Sequence, residues 1–179
     1  MTERASLPVT IRELDAAEYR AAIPELAALL VDAVDGGASV NFVAGVTKEE
    51  AAGWWTQRID QVLDGVITAI VAVEGERVVG SVLLIRSTNP NSPHRAEMGK
   101  VLVHRSARRR GIGAAMMEAA EERARSDGRW LLILDTVTGS AAEAMYRALG
   151  WTELGVMPNH VLLTDGTPAP TTFFWKDLR

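Results

Sequence analysis

The residues best placed to do chemistry lie in Val101-Leu102-Val103-His104-Arg105-Ser106-Ala107-Arg108-Arg109-Arg110-Gly111-Ile112-Gly113-Ala114. The chain is acidic overall, with 19 Lys plus Arg against 23 Asp plus Glu, yet four arginines and a histidine crowd into this one segment. It runs from a strand-like stretch into a helix-like one. Gly111 and Gly113 let the backbone turn tightly and present successive N–H groups at a helix start. Those unpaired donors, with the positive end of the helix dipole, make a site for phosphate or pyrophosphate. A bulky side chain at either glycine is expected to block the approach. The plain alternative is a solvated charge run whose glycines cap a turn; the order strand, basic loop, glycines, helix favours anion binding over it. GxxxxGK[ST] and GxGxxG are both missing, so the segment is neither a Walker loop nor a dinucleotide fingerprint. Nothing aromatic is interleaved with the arginines and no recognition-helix pattern appears, which argues against nucleic acid.

Asp135 is a second candidate. It ends the apolar run Trp130-Leu131-Leu132-Ile133-Leu134, where a buried strand emerges. A carboxylate there is desolvated unless paired, which raises its pKa into a range useful for proton transfer. The alternative is a cap on the following turn. His94, His104 and His160 lack metal-ligand spacing such as HExxH, so no metal site is expected.

The elements that must position these residues are legible from periodicity. Val9–Leu14 has strand character. Leu26, Leu29, Leu30 and Val34 follow at helical spacing, with Pro24 suited to a first turn and Gly36-Gly37 as the stop. Thr47 and Glu50 have capping-box spacing, opening a helix whose apolar stripe is Ala51, Trp55, Ile59 and Val62, ended by Gly65. Trp55 reads as core; Trp54 falls to one side of the stripe. Val66–Val73 and Arg77–Arg86, joined by Glu74-Gly75-Glu76, read as a hairpin. Ala96–His104 is a further strand, Gly111–Asp127 a helix and Trp130–Thr136 a buried strand. Ser140 with Glu143 gives another capping box, and that helix runs to Gly150. From Trp151 on, two strands joined through Asp165-Gly166-Thr167-Pro168 form a hairpin. The fold class is therefore α+β (mixed α/β) with a central sheet. Nothing divides the chain, so residues 1–179 read as a single domain.

Composition bounds the function. A net charge of −4 weighs against a dedicated nucleic-acid binder. Zero cysteine excludes disulfides, thiolate–metal sites and a cysteine nucleophile. No apolar run approaches a membrane span and the start MTERASLPVT has no apolar leader core, so a cytoplasmic protein without membrane contact is expected.

Two motifs carry a family resemblance. Arg108-Arg109-Arg110-Gly111-Ile112-Gly113 matches the R/Q-x-x-G-x-G/A signature of the GNAT superfamily of N-acetyltransferases. Ala142-Glu143-Ala144-Met145-Tyr146-Arg147-Ala148-Leu149-Gly150-Trp151 resembles their second signature, A-x-x-x-Y-x-x-x-G-F/W, at the expected distance. A closer likeness, to the branch that includes tabtoxin-resistance acetyltransferases, rests on His94-Arg95-Ala96-Glu97, Leu134-Asp135-Thr136 and Thr171-Thr172-Phe173-Phe174-Trp175-Lys176.

The resemblance implies a mostly antiparallel mixed sheet splayed between its fourth and fifth strands, about four flanking helices, and acetyl-CoA in the notch. Carried over by position, backbone groups of Leu102 and Val103 pair with the pantetheine arm and polarise the thioester carbonyl. N–H groups across Arg109, Arg110, Gly111, Ile112, Gly113 and Ala114 hold the pyrophosphate, with Arg108 opening the loop. Many members carry Asn seven positions before the tyrosine; here that residue is Gly139, so Ser140 or backbone must supply the contact. Amine acetylation needs a proton removed from the ammonium, charge on the carbonyl oxygen stabilised and the thiolate protonated. The resemblance assigns Tyr146 to the last task and Glu97 and Asp135 to the first; their ordinary alternatives are core packing for Tyr146 and pairing with Arg95 or Lys100 for Glu97. In this family Trp54 stands on a helix beside the acceptor pocket.

The function expected is acetyl-CoA-dependent N-acetylation of a small primary amine, such as an amino-acid-like compound, toxin or antibiotic, by direct attack. Protein Lys or N-terminal acetylation and a non-catalytic acyl-CoA sensor are the alternatives. A homodimer accords with similar enzymes.

Overall fold

The computed structural model describes residues 8–179. A seven-stranded sheet has the order β1-β2-β3-β4-β5-β7-β6. Its strands are β1 (Val9–Leu14), β2 (Ile67–Glu74), β3 (Arg77–Arg86), β4 (Arg95–Val103), β5 (Leu131–Val137), β6 (Thr152–Leu162) and β7 (Pro168–Asp177). All neighbours are antiparallel except β4 and β5, which run parallel. Five α-helices flank it: α1 (Ala16–Asp35), α2 (Lys48–Thr56), α3 (Ile59–Leu63), α4 (Ile112–Ser126) and α5 (Ala141–Ala148). No helix among the described residues is long and apolar enough to cross a membrane.

Three differences from the periodicity reading have local causes. α1 begins well before Pro24, because Asp15 caps it in a reciprocal capping box with Glu18. Its apolar stripe extends upstream through Tyr19 and Ile23, both buried, and that burial offsets the ~3 kcal/mol an interior proline costs. The second expected helix is two, broken at Gln57 and Arg58, which makes five helices rather than about four. Thr47 and Glu50 do form the capping box, and Trp55 is fully buried. Ser140 caps α5, but Glu143 turns its carboxylate to the N–H of Gly139 instead of closing a box on Ser140.

The sheet separates two apolar clusters. One packs α4 and α5, through Met116, Met117 and Tyr146, on Ala96, Met98, Leu132 and Leu134. The other packs α1 and α2, through Leu26, Leu30, Ala51 and Trp55, on Leu83, Val71 and Leu102. Because strand residues alternate between faces, Glu97 and Asp135 must project toward the α1/α2 side while their neighbours Met98 and Leu134 anchor the other. Across the α4 side, Lys176 Nζ on β7 lies 2.8 Å from each oxygen of buried Glu121, and donates to the Leu149 carbonyl at 2.7 Å. Trp151 Nε1 also donates to Glu121, at 3.2 Å.

Candidate functional site

β4 and β5 pair only through Arg95–Leu131, Ala96–Leu132 and Glu97–Ile133. Beyond that, β4 continues on β3 as far as Val103, and β5 continues on β7 as far as Val137. The facing backbone edges of Met98–Val103 and Leu134–Val137 therefore have no strand partner. A buried peptide edge demands hydrogen bonds, so this notch is built to receive an extended, amide-bearing arm. Leu102 and Val103 lie on that open stretch.

Where β4 ends, a 3₁₀ turn at Arg105–Ala107 leads into the glycine loop. Gly111 has φ 76° and caps α4 with no side-chain hydrogen bond, which leaves the first N–H groups of the helix, at Ile112, Gly113 and Ala114, without an intrahelical acceptor. A side chain at Gly111 would meet no neighbour; its requirement is the left-handed backbone. At Gly113 a Cβ would come within 2.9 Å of Met145 Sδ, so this glycine lets α5 pack closely on α4.

The arginine island is mostly engaged. Arg105 pairs with Asp32 at 2.5 Å and Arg110 with Glu74 at 2.8 Å. Arg108 folds back, its Nε donating to the Val103 carbonyl at 3.1 Å. Arg109, in the left-handed region at φ 62°, has no such partner among the described residues. Arg109 and the uncapped helix start are the positive groups left for a polyanion. Ser140, farther along, accepts from the Glu143 N–H at 3.2 Å and lies 3.2 Å from Thr136 Oγ1. Gly139 is left-handed at φ 80°.

The α1/α2 side of the notch gathers charges from distant segments. Protein atoms crowd Glu97 even though its surface reaches solvent, and this desolvation, with the charge of Asp135, pushes its pKa above the usual carboxylate range. Desolvation likewise raises Asp135, against the opposing pull of His160 and Lys100. Tyr146, 4% exposed, stands on the other side of β5 between Trp151 and Phe174. Burial and then the charge of Asp135 push its phenol up, so the hydroxyl stays protonated. Glu97 and Asp135 thus share the α1/α2 side of the parting, whereas Tyr146 stands across β5 and is reached only by the charge of Asp135.

Sequence reasoning missed two members of this cluster. Lys100 was seen only as an ion-pair partner for Glu97, and Arg58 was not singled out. Lys100 Nζ sits 4.4 Å from the centre of the Trp54 ring, and Arg58 Cζ sits 3.1 Å from it. Phe42 meets the same ring edge-on at 6.4 Å. The loop between α1 and α2 that carries Phe42 is tied to the β6–β7 turn: Ala44 N–H donates to the Thr164 carbonyl at 2.9 Å and Ser39 Oγ to that of Leu162 at 3.1 Å. Since β4 and β5 are parallel and β7 begins opposite Val137, this strap lies at the splayed end of the sheet. Two other concavities, of about 310 and 340 Å³, share Arg86 at the far end of β3, where Asp127, Thr68 and the Gly65 carbonyl already hold its guanidinium.

Comparison with known proteins agrees with this layout. The Acetyltransferase (GNAT) family model matches residues 38–151. An N-acetyltransferase from Staphylococcus aureus superposes with a TM-score of 0.79 at 17% identity, over 96% of this chain and 99% of that one. A ribosomal-protein-alanine N-acetyltransferase from Brucella melitensis gives 0.75 at 26% identity, over 94% and 99%. A phosphinothricin acetyltransferase from Sinorhizobium meliloti, solved in complex with acetyl-CoA, gives 0.76 at 20% identity, over 95% and 88%.

Proposed function

The chain belongs to the GNAT family of acetyltransferases, and from that premise we propose that it is an acetyl-CoA-dependent N-acetyltransferase whose acceptor is the primary amine of a small molecule. The observation that carries this reading is the coincidence of the β4–β5 parting with the carboxylates Glu97 and Asp135. The unpaired β4 edge, the uncapped start of α4 and the free Arg109 suit the amides and phosphates of acetyl-CoA. That co-substrate supplies an activated acetyl thioester. The strap from the α1–α2 loop to the β6–β7 turn limits the acceptor side at the splayed end, which favours a small acceptor over a peptide laid through an open groove. The tabtoxin-resistance likeness, on Glu97, Asp135 and the β7 segment Thr171–Lys176, points to an amino-acid-like compound, toxin or antibiotic.

The residues divide the work by position. Asp135 and Glu97 hold the ammonium and take its proton, directly or through water. Their raised pKa values keep a carboxylate able to accept a proton near neutral pH without being too weak a base. The open N–H groups of the β4 stretch around Leu102 and Val103 are the donors positioned to stabilise negative charge on a carbonyl oxygen. Tyr146 keeps its proton and offers it from the helix side. With no cysteine in the chain, direct attack by the amine is the simplest course.

The test is a panel of primary amines, amino acids and short peptides with acetyl-CoA, read by thiol release and by mass. Acetylation of a small amine, abolished by Asp135→Asn with acetyl-CoA still bound, supports the reading. Acetylation confined to peptides, or binding with no release for any acceptor, overturns it.

A further inference from the structure

Two cations beside the notch, Lys100 and Arg58, share the ring of Trp54. Neither has a carboxylate within ion-pair distance among the described residues, unlike Arg105 and Arg110 a few residues away on the donor loop. Both are partly withdrawn from water, and both are gathered on one aromatic ring, Trp54. Their placement is enforced by irregular backbone. At Lys100 the β3–β4 register slips between the Leu83–Gly99 and Ser81–Leu102 pairs, and Lys100 takes a left-handed φ of 49°. Ser81 Oγ holds the Lys100 carbonyl at 2.9 Å in that conformation. Arg58 occupies the break between α2 and α3, with its Nη1 on the Trp54 carbonyl at 2.5 Å. A lysine in that conformation is uncommon and unfavourable, and such strain concentrates where side chains must be aimed.

The mutual effect of these groups is unfavourable in the free protein. Burial and the nearby Arg58 charge bring Lys100 down to about 8, with Asp135 and Glu97 only partly opposing. An incoming anion would relieve both the repulsion and the missing ion pairs. The cations end at the Trp54 wall, whereas the carboxylates flank the parting of β4 and β5. The notch is therefore charge-segregated, positive toward α2 and negative toward β5.

We propose that Lys100 and Arg58, held on the ring of Trp54, form a specificity subsite for a carboxylate on the acceptor, so that the enzyme recognises a zwitterion: carboxylate to the two cations, amine to Glu97 and Asp135. This rests on the reading of the protein as a small-amine acetyltransferase. It makes free amino acids and their close analogues the acceptor class, and simple alkylamines poor acceptors.

The experiment measures kcat/KM by thiol release for a set of free amino acids and, beside each, its primary carboxamide. Wild-type enzyme is expected to prefer the acid at least tenfold for its best acceptor. That ratio collapses at least tenfold in Lys100→Met and in Arg58→Gln, and Lys100→Arg restores it, which a merely structural lysine would not require. Equal use of acid and carboxamide by the wild type overturns the subsite while leaving small-amine acetylation intact. Acetylation of peptides alone, with no free amino acid or amide accepted, overturns both. Loss of turnover on acids and amides alike in both Lys100→Met and Lys100→Arg overturns the subsite in favour of Lys100 as a proton acceptor.

Discussion

The two sides of the β4–β5 notch differ in how they are assembled. The side proposed for the donor is one continuous stretch, Leu102 to Ala114, with its positive field coming from backbone N–H groups and from Arg108 and Arg109, which make no ion pair among the described residues. The side proposed for the acceptor takes Trp54 and Arg58 from the α2 region, Glu97 and Lys100 from β4 and Asp135 from β5. On the proposed reading, a polyanion common to many enzymes would be held by main chain that any sequence with the right turns can offer, and an acceptor peculiar to one enzyme would be met by side chains drawn from separate elements, each free to vary alone.

That contrast can be broken by single changes. The largest effect is expected at the acid pair: Asp135→Asn lowers turnover by about 10²–10⁴-fold, the usual worth of a positioned general base, with acetyl-CoA affinity by calorimetry unchanged. Parallel losses of turnover and donor affinity would erase the division. Lys176→Met probes the scaffold under both sides, because it takes from the buried Glu121 carboxylate its nearest cation and leaves it Arg125 at 3.8 Å and the Trp151 indole. It should cost roughly 1–3 kcal/mol of stability in denaturant melts. Gly111→Val forces a β-branched residue to φ 76°; strain of roughly 1–2 kcal/mol should weaken donor binding about tenfold and leave the acceptor KM alone. Tyr146→Phe keeps the packing on Trp151 and Phe174 and removes only the hydroxyl, so kcat should fall roughly tenfold with Tm preserved.

The smallest effect is the pH dependence of acceptor binding. Lys100 is charged below about 8 and neutral above it, so the KM for a carboxylate acceptor should rise as pH climbs past that value. The groups facing Lys100 are Arg58, whose charge lowers it, and Asp135 and Glu97, whose charges raise it. The raised pKa values of the two carboxylates set the acid limb instead: kcat/KM should increase with pH as they lose protons. Lys100→Arg should move the alkaline limb and leave the acid limb in place.

Much of the scaffold was readable because its signals are local. Val9–Leu14 is a strand from alternation, and the Thr47–Glu50 box starts a helix where the hydroxyl and carboxylate say it should. The exceptions show what local signals leave out. Pro24 by its local signal suits a first turn, but burial of Tyr19 and Ile23 carries α1 through it. The stripe Ala51, Trp55, Ile59 and Val62 continues in register across a break that periodicity does not register, and the break is where Arg58 stands. Of the proposed site, the glycine turn, Tyr146 and the two carboxylates are singled out by motif and resemblance. Lys100 carried no signal, since a strand lysine three residues from a glutamate reads as a surface pair.

By itself, then, the sequence determined the strand and helix order, the uncapped helix start at Gly111 and the absence of thiol chemistry, because backbone conformation and composition depend on neighbours in the chain. Tertiary structure alone decided which arginines are ion-paired and which cations share one aromatic ring. Arg105 and Arg110 pair with Asp32 and Glu74, residues far away in the chain, while Arg58 and Lys100 meet at Trp54. Electrostatic interaction depends on distance and burial in space, and spacing along the chain records neither.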